Sequence, residues 1–353
     1  MNTENAEHRT ERDDADRENL LSVEELRTHI HTSEGVVRAV DGVSFTVERG
    51  EVVSLVGESG SGKSVTCRSL TGLVPRPPAE VVGGTVEFDG RSLLEADESA
   101  LRAIRGDRIA HVFQNPQSAL DPVYTVGEQI AEAIEIHRNV AAANARERAI
   151  DLLGRVGVPR PAAAVDDYPH EFSGGQRQRV AIAIALAGDP ELLIADEPTT
   201  AVDVTVQARL IELIDRLVED ELALLMVTHD LRVVAALADR VLVMYGGTIV
   251  ERGPVDKVFA SPAHPYTQAL FESYGDGASG APRAARNEIP AGGCRFRAEC
   301  PHAVESCGGA AQPEFYPVDR RGHRVSCVHY GPDGDPAPIV ENARERGLGG
   351  SDE

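Results

Sequence analysis

The chain has 353 residues, enough to bury the cores of about two domains, and its 42% hydrophobic content is ordinary for a globular protein. A net charge of −22 argues against a nucleic-acid partner, which would need a basic stripe that the sequence lacks. No apolar run approaches 18 residues and no signal sequence opens the chain, so we expect a soluble protein that stays inside the cell.

The charged residues are unusual in kind as well as in balance. Lys63 and Lys257 are the only lysines, and every other cation is Arg. A surface this acidic repels itself at low ionic strength, whereas at about 1 M salt the Debye length falls to roughly 3 Å and the repulsion fades. The composition therefore favours the cytoplasm of a halophile. The alternative is an acidic protein of a mesophile.

The first part of the chain moves from a polar tail into strands. Residues 1–19 are mostly charged and polar with no apolar period, which predicts a disordered acidic tail, and order should begin near Leu20. Val43–Val47 and Thr85–Phe88 are predicted strands, and the Asp89-Gly90 pair after the second is a hairpin signal.

A glycine-rich loop lies between those strands. The apolar run Val52–Val56 leads into the sequence Gly-Glu-Ser-Gly-Ser-Gly-Lys-Ser, and a helical segment follows. This is the strand, loop and helix of a phosphate-binding loop, in which backbone N–H groups and the helix N-terminus surround phosphate oxygens. Lys63 can reach the β- and γ-phosphates, and the Ser64 hydroxyl can face a Mg²⁺ ion. The candidate nucleotide-binding residues here are Gly57, Glu58, Ser59, Gly60, Ser61, Gly62, Lys63, Ser64 and Val65. We expect a nucleoside triphosphate to bind.

The middle of the chain is predicted to be helical. Residues 108–113 form a further strand candidate that runs into Gln114. From Gln114 to about Phe172 the Ala-rich stretches 126–136 and 141–156 are separated by Pro and Gly, which predicts an inserted helical subdomain.

Beyond residue 172 the pattern alternates between helices and buried strands. Ser173 is placed to cap a helix that continues to Ala187. Residues 191–196 and 222–228 are apolar runs of the kind that parallel strands buried on both faces require, and a hairpin is expected at Gly246-Gly247. This alternation predicts an α/β core.

The order of these motifs resembles one family. The phosphate loop, Gln114, Ser173-Gly-Gly-Gln176, Asp196-Glu197 and His229 are similar to the ATP-binding subunit of an ABC transporter, over about residues 20–330. The resemblance implies a P-loop NTPase fold in residues 20–260, with a RecA-like α/β core, an antiparallel β subdomain and the helical subdomain inserted at about 114–172. A small cysteine-rich extension at 261–335 and a disordered tail at 336–353 complete the predicted organisation.

The resemblance also implies catalytic roles. Asp196 ends a strand beside the phosphate loop and would hold Mg²⁺ with Ser64. Glu197 would orient and deprotonate the attacking water, and His229 would contact the γ-phosphate and that base. Gln114 would touch Mg²⁺ and the water and link the site to the helical subdomain.

Two ATP molecules would join two such subunits. In this family Ser173, Gly174, Gly175 and Gln176 cap the γ-phosphate bound by a partner, which is either a copy or a paralogous ATPase. Asp203 resembles the loop that signals across that dimer. Phe172 and Val202 stand where Leu is more common, both minor apolar changes.

The adenine contact departs from the family pattern. The region that would supply an aromatic residue contains Thr28-His29-Ile30-His31 and no Tyr, Phe or Trp. Either His29 or His31 stacks on the base, or this is an ordinary strand with outward histidines.

The C-terminal part indicates a subfamily. Ser261–Leu270 is similar to a stretch of oligopeptide/dipeptide importer ATPases, and a flexible linker is expected at 275–285. Cys294, Cys300, Cys307 and Cys327 follow, separated by five, six and nineteen residues, while Cys67 is expected to be simply buried in the loop helix.

The four cysteines suit a metal centre. Structural zinc sites usually pair ligands two to four residues apart, so the wider gaps favour a 4Fe-4S cluster, with Zn²⁺ and then disulfides as the alternatives. His302, His323 and His329 are alternatives to one cysteine ligand. Since the ATPase residues are complete without it, such a centre would be structural or regulatory.

The sequence thus predicts an energy-coupling ATPase of a peptide importer. It would sit on the cytoplasmic face of the membrane against two permease subunits, and an extracellular solute-binding protein would act with it indirectly. Rival hypotheses are import of nickel or a sugar oligomer, a soluble ABC ATPase acting on ribosomes or DNA, and a regulator with a redox-sensing tail. The absence of a second ATPase half and of heptads disfavours the soluble ATPase.

Overall fold

The computed structural model describes residues 18–114, 119–138, 140–198, 204–219, 221–275 and 289–348. The strands in these ranges are β1 (Asn19–Thr32), β2 (Gly35–Glu48), β3 (Val52–Val56), β4 (Ala79–Phe88), β5 (Arg91–Ser92), β6 (Ile109–Val112), β7 (Leu192–Asp196), β8 (Ala223–Val227), β9 (Arg240–Tyr245), β10 (Thr248–Pro254), β11 (Tyr316–Pro317) and β12 (Arg324–Val325). The helices are α1 (Lys63–Leu70), α2 (Glu98–Ile104), α3 (Val126–Arg138), α4 (Ala142–Arg155), α5 (Pro161–Ala164), α6 (Gly174–Ala185), α7 (Val204–Glu219), α8 (Leu231–Leu237), α9 (Val255–Ala260), α10 (Pro265–Gly275) and α11 (Ala337–Glu345).

Two sheets form the framework. The smaller is antiparallel, with strand order β2-β1-β4-β5, and the larger has the order β11-β12-β10-β9-β3-β8-β7-β6. The run from β9 to β6 is parallel. The central strand β3 is buried along its whole length, because Val53 and Leu55 pack toward the smaller sheet while Val52 and Val56 pack toward the helices.

The parallel strands set the position of the site. Carboxyl ends of parallel strands meet at one edge of a sheet, where open α/β folds bind their ligands. The loops that leave β3, β6, β7 and β8 start at this edge. In that order they contain Gly57, Gln114, Glu197 and His229. Four motifs distant in sequence are therefore brought to one place by strand order alone.

The helical subdomain packs against this sheet. Helices α3 and α4 face each other and bury Ile130, Ile134, Ala149 and Leu153 in the same apolar cluster as the helix side of the sheet. Within the described ranges, no helix combines the length and the apolar composition that crossing a bilayer requires.

The C-terminal part of the chain continues the larger sheet. Strand β12 pairs antiparallel with β10, where Glu251 lies opposite Val325, and β11 adds to β12. The prediction of a disordered tail from residue 336 is wrong for α11, which buries Ile339 completely against Ala263 and Cys327. Tertiary packing of one apolar side chain stabilises a helix that its polar composition alone does not predict. Of the segments predicted to be disordered or flexible, residues 1–17, 276–285 and 349–353 lie outside the described residues.

Candidate active site

The phosphate loop turns tightly between β3 and α1. Gly57 has φ 148° and Gly62 has φ 110°, values that favour glycine. A Cβ atom at Gly57 would overlap the Met244 carbonyl oxygen, and one at Gly62 would overlap that of Ala39. The backbone of the loop is therefore pressed between β2 and the end of β9, and glycine is required at both positions.

Lys63 is seated inside this loop. Its side chain is buried, and Nζ donates to the carbonyl oxygens of Gly57 at 2.6 Å and Glu58 at 2.8 Å. Burial lowers the pKa of the Lys63 ammonium, and the nearby carboxylates of Glu197 and Asp196 oppose that shift. The Lys63 ammonium is thus held at the carboxyl end of β3, where it can contact an anion.

A buried carboxylate faces the start of α1. The Ser64 hydroxyl donates to Asp196 Oδ1 at 2.9 Å, and Asp196 is only 3% exposed. Asp196 Oδ2 is buried and has no hydrogen-bond partner among the described residues, and burial raises the pKa of this carboxyl. Such an oxygen fits the oxygen-ligand preference of Mg²⁺, so the residues present suit that ion.

Two of the predicted catalytic side chains, Gln114 and His229, contact the carboxylate of the third, Glu197. Gln114 Nε2 donates to Glu197 Oε2 at 2.8 Å, and His229 Nδ1 lies 3.4 Å from Glu197 Oε1. Glu197 has φ 53°, a left-handed conformation that costs energy for a non-glycine residue, and its N–H donates to the Val227 carbonyl at 2.8 Å. This arrangement fixes the side chain at the edge of the sheet. A contact of Gln114 with a metal ion stays a prediction.

The second predicted anion-binding motif lies at the start of α6. Ser173 Oγ accepts from the Gln176 N–H at 3.3 Å, and Gln176 Oε1 accepts from the Ser173 N–H at 2.8 Å, forming a capping box. Ser173 is exposed, with Gly174 and Gly175 half-buried behind it. The cap leaves a helix N-terminus accessible from outside the chain, as a role toward a partner requires. Asp203 and Val202 lie outside the described residues.

The two histidines predicted near adenine differ in setting. His31 is exposed at the end of β1, and its Nε2 lies 3.4 Å from Glu80 Oε2. His29 is half-buried, and its Nε2 atom is enclosed with no hydrogen-bond partner among the described residues. Stacking of either ring on a base stays a prediction.

Comparison with known proteins identifies the family. A family model for ABC transporters matches residues 40–200, and one for the C-terminal region of oligopeptide/dipeptide transporters matches residues 250–307. A relative named "Probable peptide ABC transporter ATP-binding protein y4tR", from Sinorhizobium fredii, is 49% identical over 87% of this chain and 94% of its own. The chain belongs to the ATP-binding subunits of oligopeptide/dipeptide ABC transporters.

Further matches agree with this assignment. The dipeptide transport ATP-binding protein DppD of Escherichia coli is 45% identical over 82% of this chain and 90% of its own. Among solved structures, a dimer of the ATP-binding cassette MJ0796 in a post-hydrolysis state with ADP and Pi is similar, with a TM-score of 0.60. At 29% identity it covers 67% of this chain and 98% of that one. The chain is accordingly an ABC ATPase that binds and hydrolyses ATP.

Four of the five cysteines of this ABC ATPase lie in the C-terminal part of the chain, and the fifth lies in α1. All five are free thiols, and Cys67 is buried in α1 as expected. Burial, together with a smaller effect of the other three thiols of the extension, raises the pKa of Cys327 to about 12. Within the described ranges, no group of three or more His, Cys, Asp or Glu side chains is placed to hold a single metal ion.

Backbone groups surround three of these thiols. Backbone N–H groups oppose the rise in thiol pKa that burial causes: those of Phe296 and Arg297 act at Cys294, that of His302 at Cys300 and that of His329 at Cys327. The Arg297 N–H itself donates to the Cys294 carbonyl oxygen at 3.2 Å. Such donors stabilise a thiolate and are a recognised means of tuning iron-sulfur ligands.

Two of the histidines proposed as substitute ligands have other partners. His323 is 1% exposed, and its Nε2 lies 2.7 Å from Glu251 Oε1. The ring nitrogens of His329 lie against the carbonyl oxygens of His302 and Asp335, at 2.7 and 3.1 Å. His323 is therefore bound to the ATPase sheet.

Glu251 is a buried node that the sequence reasoning missed. It is fully buried on β10, and its carboxylate accepts the N–H groups of Ala263 and His264, both at 2.7 Å, in addition to its contact with His323. A carboxylate inside an apolar strand segment was the available signal, because such a group needs buried partners. Glu251 therefore fixes the segment before α10 through Ala263 and His264, and it fixes the C-terminal extension to the core through His323.

The buried His264 should make stability depend on pH. Burial lowers its pKa from 6.5 to about 4, so below pH 6.5 the unfolded chain gains a proton that the folded state excludes. The free energy of unfolding should fall as pH drops from 6.5 toward 4, by about 3 kcal/mol for this group. Urea unfolding at pH 7 and pH 4.5 measures the fall.

Two variants distinguish the contribution of His264 to this pH dependence from the contributions of other groups that titrate in acid. His264→Asn keeps an acceptor for the Tyr266 N–H, now bonded to His264 Nδ1 at 3.1 Å, and should reduce the fall. His31→Asn alters an exposed histidine and should leave it unchanged. An equal pH dependence in His264→Asn and the unaltered chain would contradict the assignment.

Proposed function

We propose that this chain is the ATP-hydrolysing subunit that powers import of di- and oligopeptides through a membrane ABC transporter. The observation that carries the proposal is the C-terminal region. Residues 250–307 match the family model of oligopeptide/dipeptide transporters, and this segment begins in β10, which pairs with β9 and carries the buried Glu251. The names of the relatives as peptide or dipeptide transport proteins support the same solute.

The proposed partners are consistent with the geometry of the site. A second ATP-binding subunit, identical or paralogous, would place its nucleotide against the exposed N-terminus of α6 at Ser173. The pair would act at the cytoplasmic face of the membrane on two permease subunits, and an extracellular binding protein would deliver the solute. The helical subdomain would pass the motion on, since Gln114 joins it to Glu197.

The proposed chemistry centres on Glu197. Its carboxylate would orient and deprotonate the attacking water, with Gln114 and His229 holding it on either side. Lys63 and the loop N–H groups would bind the phosphates, and Ser64 and Asp196 would hold Mg²⁺, which neutralises developing charge on them. Asp203 would complete the contact between subunits.

The four cysteines of the extension are proposed to hold a 4Fe-4S cluster. Three of the four cysteines, Cys294, Cys307 and Cys327, are buried, and Cys300 is half-buried. The other three thiols are near enough to Cys327 to raise its pKa, and nearby N–H groups favour the thiolate at Cys294, Cys300 and Cys327, which supports this ligand set. Because the ATPase residues are complete without them, the centre would be structural or regulatory. Zn²⁺ is the alternative.

The acidic, lysine-poor composition supports the further proposal that this protein functions at high ionic strength.

The transported solute can be tested in proteoliposomes that contain the whole transporter, with its binding protein outside. Di- and tripeptides should stimulate ATP hydrolysis several-fold, whereas nickel and sugar oligomers should not. Stimulation by nickel alone would overturn the peptide proposal and leave the ATPase assignment in place.

The role of Glu197 can be tested by Glu197→Gln. A general base contributes about 10²- to 10⁴-fold, so ATP hydrolysis should fall at least about a hundredfold while MgATP binding changes little. The matched control is Glu221→Gln, at an exposed residue before β8 and so at the opposite end of that strand from His229. Hydrolysis at the original rate in Glu197→Gln would remove it as the base.

The metal centre can be tested by anaerobic purification in high salt, with metal analysis and an absorption spectrum. We expect broad brown absorbance and about four irons per chain. Cys327→Ser should lose iron, whereas Cys67→Ala, at a cysteine in α1, should retain it. One zinc per chain without colour would overturn the cluster.

A further inference from the structure

The Ser261–Leu270 segment reaches the phosphate loop. Its Tyr266, on α10, is fully buried, and the phenol oxygen accepts a hydrogen bond from the backbone N–H of Glu58 at 3.0 Å. Glu58 is the second residue of the phosphate loop, 208 positions earlier in the chain. A side chain of the C-terminal part thus touches the nucleotide site directly, a contact that the ATPase chemistry described so far does not use.

The bonded N–H belongs to the peptide unit that seats the loop lysine. The Glu58 N–H and the Gly57 carbonyl are the two ends of a single planar peptide, and the carbonyl accepts from Lys63 Nζ at 2.6 Å. Tyr266 therefore holds one side of this peptide while the ammonium holds the other. Hydrogen bonds in such a chain polarise one another, so the phenol strengthens the carbonyl as an acceptor for Lys63.

The phenol is held in place by its surroundings. The Tyr266 ring lies 4.6 Å from the Tyr245 ring and 5.5 Å from that of Phe296, between centroids. Its backbone N–H donates to His264 Nδ1, and the His264 N–H donates to the buried Glu251. A donor or acceptor fixed by packing and by further hydrogen bonds positions its target with little loss of conformational entropy.

We propose that Tyr266 is a positioning residue for ATP binding. Its hydroxyl orients the Gly57-Glu58 peptide so that the Lys63 ammonium is held in the position where it binds the phosphates. Through this residue the C-terminal segment forms part of the nucleotide site. Without the hydroxyl, the Glu58 N–H loses its partner in a partly buried place, and the free loop relaxes to find another. ATP must then restore the bound geometry at a cost in affinity.

Tyr266→Phe tests the hydroxyl while keeping the ring. In the assembled transporter, the KM for ATP should rise about two- to tenfold, the range set by one neutral hydrogen bond, with kcat within about twofold. The matched control is Tyr245→Phe, which removes a hydroxyl from the same aromatic group. That hydroxyl donates to Glu299 at 2.8 Å, so its loss should leave the KM unchanged.

Two results would overturn the proposal. An unchanged KM in Tyr266→Phe would show that the hydroxyl does not position the loop. An equal rise in both variants would assign the effect to loosening of the aromatic group. Thermal unfolding of each variant confirms that the fold is kept.

A second measurement uses the unaltered chain. Hydrogen exchange at the Glu58 amide, followed by NMR without nucleotide, should be slow because a buried hydroxyl accepts the bond. Exchange of the Glu58 amide at the rate of an exposed loop amide would contradict the proposal even if the variant failed to fold.

Discussion

The site depends on the burial of one cation. The Lys63 ammonium is almost removed from water, and an ammonium so placed requires fixed oxygen partners. Two loop carbonyls supply them, and the carboxylates of Asp196 and Glu197 supply opposing charge from the end of β7. The parallel order of β3, β8 and β7 brings these groups together, so the sheet sets the electrostatics of the loop. The fold therefore orients a positive centre at the place proposed for the phosphates before any ligand binds.

The elements nearest this centre were the most predictable from sequence. Strands buried on both faces have near-continuous apolar runs, and the phosphate loop has a fixed spacing, so β3, β7, β8 and α1 were predicted within a few residues. The pairing of β12 with β10 was not, because strands of two residues carry no periodic signal. Helix α11 was missed because Ile339 stabilises it by tertiary contact and not by composition. Asp203 lies in a part of the chain that the structure does not describe.

The candidate side chains show a similar division. Glu197, Gln114 and His229 each follow a strand, and side chains in that position converge by topology. Glu251 and Tyr266 act through contacts with residues far away in sequence, which spacing cannot indicate. For the same reason a histidine near cysteines can be mistaken for a ligand when its partner is a distant carboxylate. Local motifs predict chemistry, whereas buried polar pairs between segments are found only in three dimensions.

The antiparallel addition of β12 to β10 has a consequence for how the molecule is made. On a ribosome the chain emerges in order, and the β10 edge stays open until residues 324–325 have been synthesised. During that interval a strand with unpaired backbone groups is exposed, a surface that invites pairing with other chains. Because residues 324–325 lie in the last tenth of the chain, the edge of β10 is covered only near the end of synthesis, and until then it is open to pairing with other chains.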